Sequence, residues 1–140
     1  MILRLPGLTS PPDSRQPTPM VPQESSSFMT DPASAYHAHI YFDQDSREAA
    51  LTLREQVAAA FPDLEIGRFH EREVGPHPKW SCQIAFPLEA FGTLIPWLMA
   101  NRGSLTIFLH PLTGDDLADH RDLACWLGRE ETLKLEMFGA

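Results

Sequence analysis

The stretch Tyr36-His-Ala-His-Ile-Tyr-Phe42 alternates strictly between two kinds of side chain. A period of two, among residues that favour extended backbone, predicts a β-strand. Because successive side chains of a strand point to opposite faces, one face is apolar and the other carries imidazole and phenol groups. The apolar face is Ala38, Ile40 and Phe42, and the other face is His37, His39 and Tyr41.

Further strands and helices follow from the same kind of pattern. The predicted order is a strand at 36–42, a helix that ends before Pro62, strands at 64–70 and 80–86, a helix over 87–100, and a strand at 105–110. This β-α-β-β-α-β order is that of the ferredoxin-like fold, an α+β architecture with both helices on one face of an antiparallel sheet. The other face is expected to be bare and open to a ligand or a dimer partner.

A third helix is expected as an addition at the C-terminal end of this fold. Thr113-Gly-Asp-Asp116 has the residue types that begin helices, and Leu117 and Leu127 mark the ends of its apolar side. Residues 133–137 alternate between apolar and polar side chains, so they form either a short fifth strand or a tail.

Proline is concentrated at the start of the chain, where seven of the 13 prolines lie within the first 33 residues. Proline-rich sequence without hydrophobic periodicity does not bury enough apolar surface to fold. We therefore expect residues 1–33 to be a disordered leader and residues 34–140 to form the ferredoxin-like domain. A single domain of this size can hold one hydrophobic core.

Charge and apolar content exclude several classes of partner. The formal net charge is -8, so the chain has no basic stripe for nucleic acid or for an anionic membrane surface. No apolar run approaches the roughly 20 residues of a membrane-spanning helix. Cys82 and Cys125 lie in apolar segments without a Cys-x-x-Cys spacing, and we expect two buried free thiols in a reducing, cytoplasmic compartment.

Three of the six histidines are expected to lie side by side. His37 and His39 are two residues apart on one strand face, which separates their Cα atoms by about 7 Å. In the ferredoxin-like order the fourth strand runs antiparallel beside the first, and this places His110 next to His37. A single surface histidine usually only makes hydrogen bonds, but three imidazoles within reach of one another suit Fe, Zn or Cu. We therefore predict a metal site of His37, His39 and His110.

The other three histidines each have a structural and a functional interpretation. His70 and His77 flank a proline-rich loop at the far end of the first strand, so they reach the metal only if the loop folds over the sheet. They fit either an acid–base role on a substrate held over the sheet or simple packing of the loop. His120 follows Asp116 by four residues, which indicates either a helix-stabilising contact or a catalytic pair.

The acidic residues after His110 also have two interpretations. Asp115, Asp116 and Asp119 complement the N-terminus of a helix. Alternatively, the short turn brings one carboxylate near His110, which would give the two-histidine, one-carboxylate site of non-haem Fe(II) oxygenases. Trp80, beside the proline-rich loop, is either a core residue or a platform that stacks on an aromatic ligand.

Four segments in a fixed order resemble the DOPA 4,5-dioxygenase family, and the resemblance extends over residues 36–127. The segments are His37-Ala-His-Ile-Tyr-Phe42, Arg68-Phe-His-Glu-Arg-Glu-Val-Gly-Pro-His-Pro78, Pro96-Trp97 with Asn101-Arg-Gly103, and His110-Pro-Leu-Thr-Gly-Asp-Asp-Leu-Ala-Asp-His120. The resemblance implies extradiol cleavage of a catechol such as L-DOPA, beside its diol, with O2 and a non-haem metal ion. It implies Fe(II) as that metal, with Zn or Mn as alternatives.

The remaining site residues are assigned by the chemistry that this resemblance implies. The candidates for proton transfer to and from the substrate are His70, His77 and His120. A second set is expected to hold the substrate, through paired hydrogen bonds to a carboxylate or through ring contacts: Arg68, Arg72, Tyr41 and Trp80.

Two other functions stay open beside a cytoplasmic catechol dioxygenase. Ferredoxin-like domains often dimerise through the sheet and bind a small ligand between protomers without catalysis. A metal enzyme that acts on a different small aromatic acid would use the same histidines. In each case we expect a homodimer whose ligand is a small molecule, with no nucleic-acid or membrane partner.

Overall fold

Secondary structure is described for residues 29–139, in a computed structural model. Along this part of the chain the elements are β1 (Ala35–Phe42), α1 (Arg47–Ala60), β2 (Glu65–His70), β3 (Trp80–Pro87), α2 (Leu88–Asn101), β4 (Thr106–Pro111), α3 (Asp116–His120), β5 (Cys125–Leu127) and a short 3-10 helix (Leu135–Phe138). None of the helices within this range is long and apolar enough to cross a membrane. The predicted leader, residues 1–33, falls almost entirely outside the described residues.

The strands form one sheet in the order β2-β3-β1-β4-β5, and every neighbouring pair is antiparallel. The first four strands have the order and directions of the predicted ferredoxin-like fold, so the α+β architecture is confirmed. β1 lies at the centre of the sheet, between β3 and β4. Its two faces therefore set the positions of the core and of the histidines.

The apolar face of the sheet builds the hydrophobic core with α1 and α2. All three predicted inward sets are buried: Ala38, Ile40 and Phe42, then Cys82, Ile84 and Phe86, then Leu105, Ile107 and Leu109. The two helices contribute side chains at the spacing of one helix face, which are Ala50, Leu53 and Val57 from α1 and Leu94, Ile95 and Leu98 from α2. Burial of each large aliphatic side chain stabilises the fold by about 1.5–3 kcal/mol. The core thus fixes β1 from the sheet face opposite to His37 and His39.

The C-terminal part differs from the prediction. The added helix α3 has only five residues and ends at His120, so the expected continuation to Leu127 is wrong. Cys125–Leu127 instead forms β5 against the outer edge of β4, where it pairs backbone groups that a free edge would leave open. The Trp126 ring packs on that of Phe108, with 4.6 Å between the ring centres. The helix expected over this segment does not predict this contact.

Two smaller expectations are also corrected. Of the two alternatives for residues 133–137, the strand is not formed, because β5 already occupies the edge of β4, and residues 135–138 of this tail form a 3-10 helix. Cys82 is buried as expected, but Cys125 is exposed because it lies on the short edge strand.

The second face of the sheet is covered, so the expectation of a bare face is wrong. The loop of residues 71–79, the C-terminal segment 129–138 and α3 lie over it, and we call these three parts the cover. The backbone N–H of Lys134 donates to the carbonyl oxygen of Pro76 at 2.8 Å, which ties the segment to the loop. The side chains beneath are consequently buried. The homodimer stays a prediction, but this face no longer offers it an open surface.

Candidate metal centre

Three histidines converge on the covered face of the sheet. The pairing of β1 with β4 places His37 directly opposite His110, as the topology predicts, and His39 follows two residues along β1 on the same face. One ring nitrogen from each of the three lies within 4.8 Å of the others. Nε2 of His39 is 3.0 Å from Nε2 of His110. We call these three residues the histidine group, and among residues 29–139 it is the set whose donor atoms are spaced for one metal ion.

Burial keeps these imidazoles neutral. His39 and His110 are 4% and 2% exposed, and His37 is half-buried. Removal from water is the main cause that lowers the pKa of all three rings, and neighbouring imidazoles lower it further. The pKa of His110 falls to about 4. A neutral imidazole keeps a lone pair on one nitrogen, and this is the form that binds a metal ion.

A backbone contact fixes which nitrogen of His110 carries the proton. Nδ1 of His110 donates a hydrogen bond to the carbonyl oxygen of Pro111 at 2.8 Å. The lone pair is therefore on Nε2, which faces His39. Histidine ligands of metal ions commonly have such a partner, which sets the tautomer and the ring orientation. Neutral imidazoles fit Fe(II) or Zn(II) better than Mn(II), whose preferred ligands are oxygen atoms.

The predicted carboxylate ligand is not part of the histidine group within the described chain. Asp119 is 1% exposed, and its two oxygens accept hydrogen bonds from the backbone N–H and the hydroxyl of Thr113. Asp115 accepts from the backbone N–H of Ala118 at the start of α3. These carboxylates build the turn and the helix start, as the structural interpretation predicts, and the two-histidine, one-carboxylate arrangement is not formed.

The proline-rich loop folds over the sheet and brings His77 to the histidine group. His77 is 6% exposed, and its ring centre lies 4.1 Å from that of His39. Its Nδ1 is 2.7 Å from the hydroxyl oxygen of Tyr41. His70 stays at the end of β2, where it lines a cavity of about 80 Å³ together with His39 and His77. Because the loop folds over the sheet, His77 reaches the histidine group, which was expected only under that condition.

His120 also lies beside the histidine group. Its ring centre lies 4.1 Å from that of His110 and 6.5 Å from that of His77. Its Nδ1 donates to the carbonyl oxygen of Asp116 at 2.7 Å, so the expected contact between these residues forms through the backbone and not through the carboxylate. In the neutral ring the lone pair of His120 is consequently on Nε2.

Two aromatic residues line the histidines and had no predicted role. Phe108 is fully buried, with its ring centre 6.0 Å from that of His39 and 5.9 Å from that of His120. Phe138 stacks on His120 at 4.7 Å. Strand alternation places Phe108 on the face of the histidines, but no periodic signal indicates where Phe138 lies.

The four predicted substrate contacts lie in different surroundings. Tyr41 is 2% exposed, and its hydroxyl already has a hydrogen-bond partner. Trp80 packs with the core, where its ring meets that of Phe42 edge-on at 5.8 Å. Arg68 and Arg72 are exposed, on β2 and on the loop that follows it. The roles of these four residues in substrate binding stay predictions.

Comparison with known proteins gives matches over nearly all of the folded part. The model of the Dopa 4,5-dioxygenase family matches residues 36–137. A DOPA 4,5-dioxygenase of Amanita muscaria is 38% identical over 108 residues, which are 71% of this chain and 47% of that protein. An uncharacterized 21.2 kDa protein of Botryotinia fuckeliana is 38% identical over 114 residues, which are 74% of this chain and 62% of that protein. The matched part of this chain thus spans less than two thirds of the length of each curated relative.

A solved structure agrees with the sequence matches. The crystal structure of a candidate dioxygenase from Nostoc punctiforme is 41% identical and has a TM-score of 0.74, over 76% of this chain and 92% of that chain. The family match includes all six histidines of the chain. The chain belongs to the Dopa 4,5-dioxygenase family.

Proposed function

We propose that this chain is a metal-dependent extradiol dioxygenase that cleaves a catechol such as L-DOPA at the 4,5 position with O2. One observation carries the proposal: three imidazoles with donor nitrogens within 4.8 Å lie together in a chain of a dioxygenase family. Three protein ligands leave coordination positions for a substrate, as in catalytic metal sites generally. A structural metal site would instead be closed by a fourth protein ligand.

His37, His39 and His110 are the residues that would hold the metal ion. When bound, Fe(II) supplies Lewis acidity toward the catechol oxygens and a template that brings catechol and O2 together. Because β1 and β4 are adjacent strands fixed by the core, their donor atoms are already close to one another. His37 is half-buried, and it marks the side of the group from which a substrate can approach.

The chain also provides groups for proton transfer. A catechol has to lose hydroxyl protons before its ring is cleaved, and protons have to return to the product. His120 is the candidate base, because its Nδ1 is bonded to a backbone carbonyl, which leaves Nε2 as the nitrogen that can accept a proton. His77 and His70 are the candidates to return a proton. Arg68 and Arg72 are the proposed contacts for a substrate carboxylate.

Anaerobic reconstitution tests the proposal. Metal-free protein is loaded with Fe(II) and then mixed with L-DOPA and O2, while a product that absorbs visible light is followed. Wild-type protein should form the product and the His39→Ala variant should not. The Gln56→Ala variant, which changes an exposed position on α1, should keep the wild-type rate.

Two outcomes would contradict the proposal. A wild-type rate in the His39→Ala variant would remove the histidine group from the reaction. A wild-type protein that binds Fe(II) but oxidises none of a panel of catechols would favour either the non-catalytic binding module or an enzyme for another aromatic acid.

A further inference from the structure

One hydrogen bond links the cover to the central strand. The hydroxyl oxygen of Tyr41 lies 2.7 Å from Nδ1 of His77, and both residues are almost completely buried. Tyr41 is on β1, two residues after His39, whereas His77 comes from the loop between β2 and β3. The bond therefore fixes the imidazole of a loop against the strand that carries two of the proposed metal ligands.

The direction of this bond follows from the donors and acceptors that are present. Near neutral pH a tyrosine hydroxyl carries its proton, because its ordinary pKa is about 10. Among residues 29–139, the hydroxyl has no other side-chain hydrogen-bond partner. A buried donor without an acceptor costs about 1–3 kcal/mol. Both groups are satisfied when the Tyr41 O–H donates to Nδ1 of His77.

The remaining nitrogen of His77 must then carry a proton. His77 is 6% exposed and has no carboxylate hydrogen-bond partner among residues 29–139, so burial favours the neutral ring, which holds one proton. With Nδ1 as acceptor, that proton is on Nε2, which points away from Tyr41. His110 and His120 have the opposite arrangement, because their Nδ1 protons are bonded to backbone carbonyls. In the neutral ring, the lone-pair nitrogen is thus Nε2 in His110 and His120 but Nδ1 in His77.

The loop is built to hold this ring still. Proline on both sides of His77 restricts the backbone at Pro76, His77 and Pro78. The backbone N–H of His77 donates to the carbonyl of Val74 at 3.2 Å, and that of Lys134 donates to the carbonyl of Pro76 at 2.8 Å. The imidazole is therefore fixed both through its backbone and through the Tyr41 hydroxyl.

We propose that Tyr41 is a positioning residue that sets His77 in its Nε2–H tautomer, so that His77 donates a hydrogen bond to an oxygen atom of the substrate. The substrate class this favours is an oxyanion, such as a catecholate, held beside the histidine group. The identity of that oxygen rests on the proposed function, but the tautomer is a property of the metal-free chain. This role replaces the direct substrate contact expected for Tyr41.

Nitrogen NMR of the metal-free protein tests the inference. In protein with ¹⁵N-labelled histidine near neutral pH, long-range ¹H–¹⁵N correlations distinguish the protonated nitrogen of each ring from the lone-pair nitrogen. The His77→Gln variant identifies the His77 signals. We expect a protonated Nε2 and a lone pair on Nδ1 in His77, opposite to His110. In the Tyr41→Phe variant, the two nitrogen shifts of His77 should converge toward the average of the two tautomers.

Tyr36→Phe is the matched control for the loss of a phenol hydroxyl. Tyr36 is on the same strand but on the core side, where its ring stacks on Phe86 at 5.7 Å, so the His77 shifts should not change. A wild-type His77 with its proton on Nδ1 would overturn the inference, and so would unchanged His77 shifts in Tyr41→Phe. If that variant does not fold, the wild-type spectrum alone decides. Failure of the dioxygenase assay would leave the result standing, because neither metal nor substrate is present.

Discussion

Nε2 of His39 lies 3.0 Å from Nε2 of His110, although 71 residues separate the two along the chain. Their ring planes are nearly parallel, at 15°, because β1 and β4 are neighbouring strands and both side chains rise from the same sheet face. Two ring nitrogens at this distance share one proton or bind one cation. The hydrophobic core on the other side of the sheet thus fixes a pair of donor atoms for a metal ion.

Removal of one imidazole from the histidine group should weaken metal binding severely. Even the outer partners of metal-bound histidines contribute about 10- to 100-fold in affinity. We therefore expect His39→Ala to lower the affinity for Zn(II) or Fe(II) by more than about 100-fold, as measured by calorimetric titration. His70→Ala is the control, because His70 lies outside the group, and it should bind one ion like the wild type. Equal affinities in the two variants would contradict the predicted ligand set.

Mild acid should destabilise the metal-free protein. Burial lowers the pKa of His39, His77 and His110 in the folded chain, whereas in the unfolded chain histidine has a pKa of about 6.5. As pH falls through about 6.5, the unfolded chain therefore binds protons that the folded chain does not. The free energy of unfolding should decrease by about 1.4 kcal/mol per pH unit for each such histidine. The loss continues down to the folded pKa, about 4 for His110 and about 3 for His77.

Urea unfolding of chelator-treated protein at several pH values measures this slope. Above about pH 5 few carboxylates titrate, so the histidines dominate the change. The His77→Gln variant should show a shallower slope, because it lacks one of the histidines that take up a proton only in the unfolded chain. A free energy of unfolding that stays constant across this range would show that the imidazoles are not buried in neutral form.

The turn before α3 should depend on one buried carboxylate. Asp119 accepts two hydrogen bonds from Thr113, and hydrogen bonds to charged groups contribute about 1.5–3 kcal/mol each. Asp119→Ala should therefore lower the free energy of unfolding by at least about 2 kcal/mol in chemical denaturation. Asp122→Ala, at an exposed position, should leave it close to the wild-type value. Similar values for both variants would mean that Asp119 does not anchor the turn that positions His120.

The stability of the fold should depend on the side chains of β1 that face the core. Ile40 is completely buried between the sheet and the helices, so Ile40→Ala should destabilise the protein by about 2–5 kcal/mol. Thermal unfolding of this variant beside Gln56→Ala measures the difference. A loss below about 0.5 kcal/mol would contradict the view that the core fixes β1.

Sequence patterns predicted the part of the site that lies on regular strands. Alternation along β1 places His37 and His39 on one face, and the strand order of the ferredoxin-like fold then places His110 opposite His37. Both steps depend on local periodicity and on topology. Neither needs knowledge of a particular long-range contact.

The parts of the site outside the strands could not be predicted in this way. His77 is placed by the Tyr41 hydroxyl and by a hydrogen bond between Lys134 and Pro76, residues far apart in the chain. The apolar side chains before Gly128 fit a helix as well as the strand that they form, because a three-residue strand is too short to show alternation. Residues 125–127 form a strand because the edge of β4 has backbone groups free to pair with them. That edge exists only in the assembled sheet.

An anomalous difference map from crystals of the metal-loaded protein tests the proposed centre most directly. We predict one peak, about 2.0–2.2 Å from a ring nitrogen of each of His37, His39 and His110. Absence of a peak at these histidines, or a peak held by other side chains, would contradict a three-histidine metal centre.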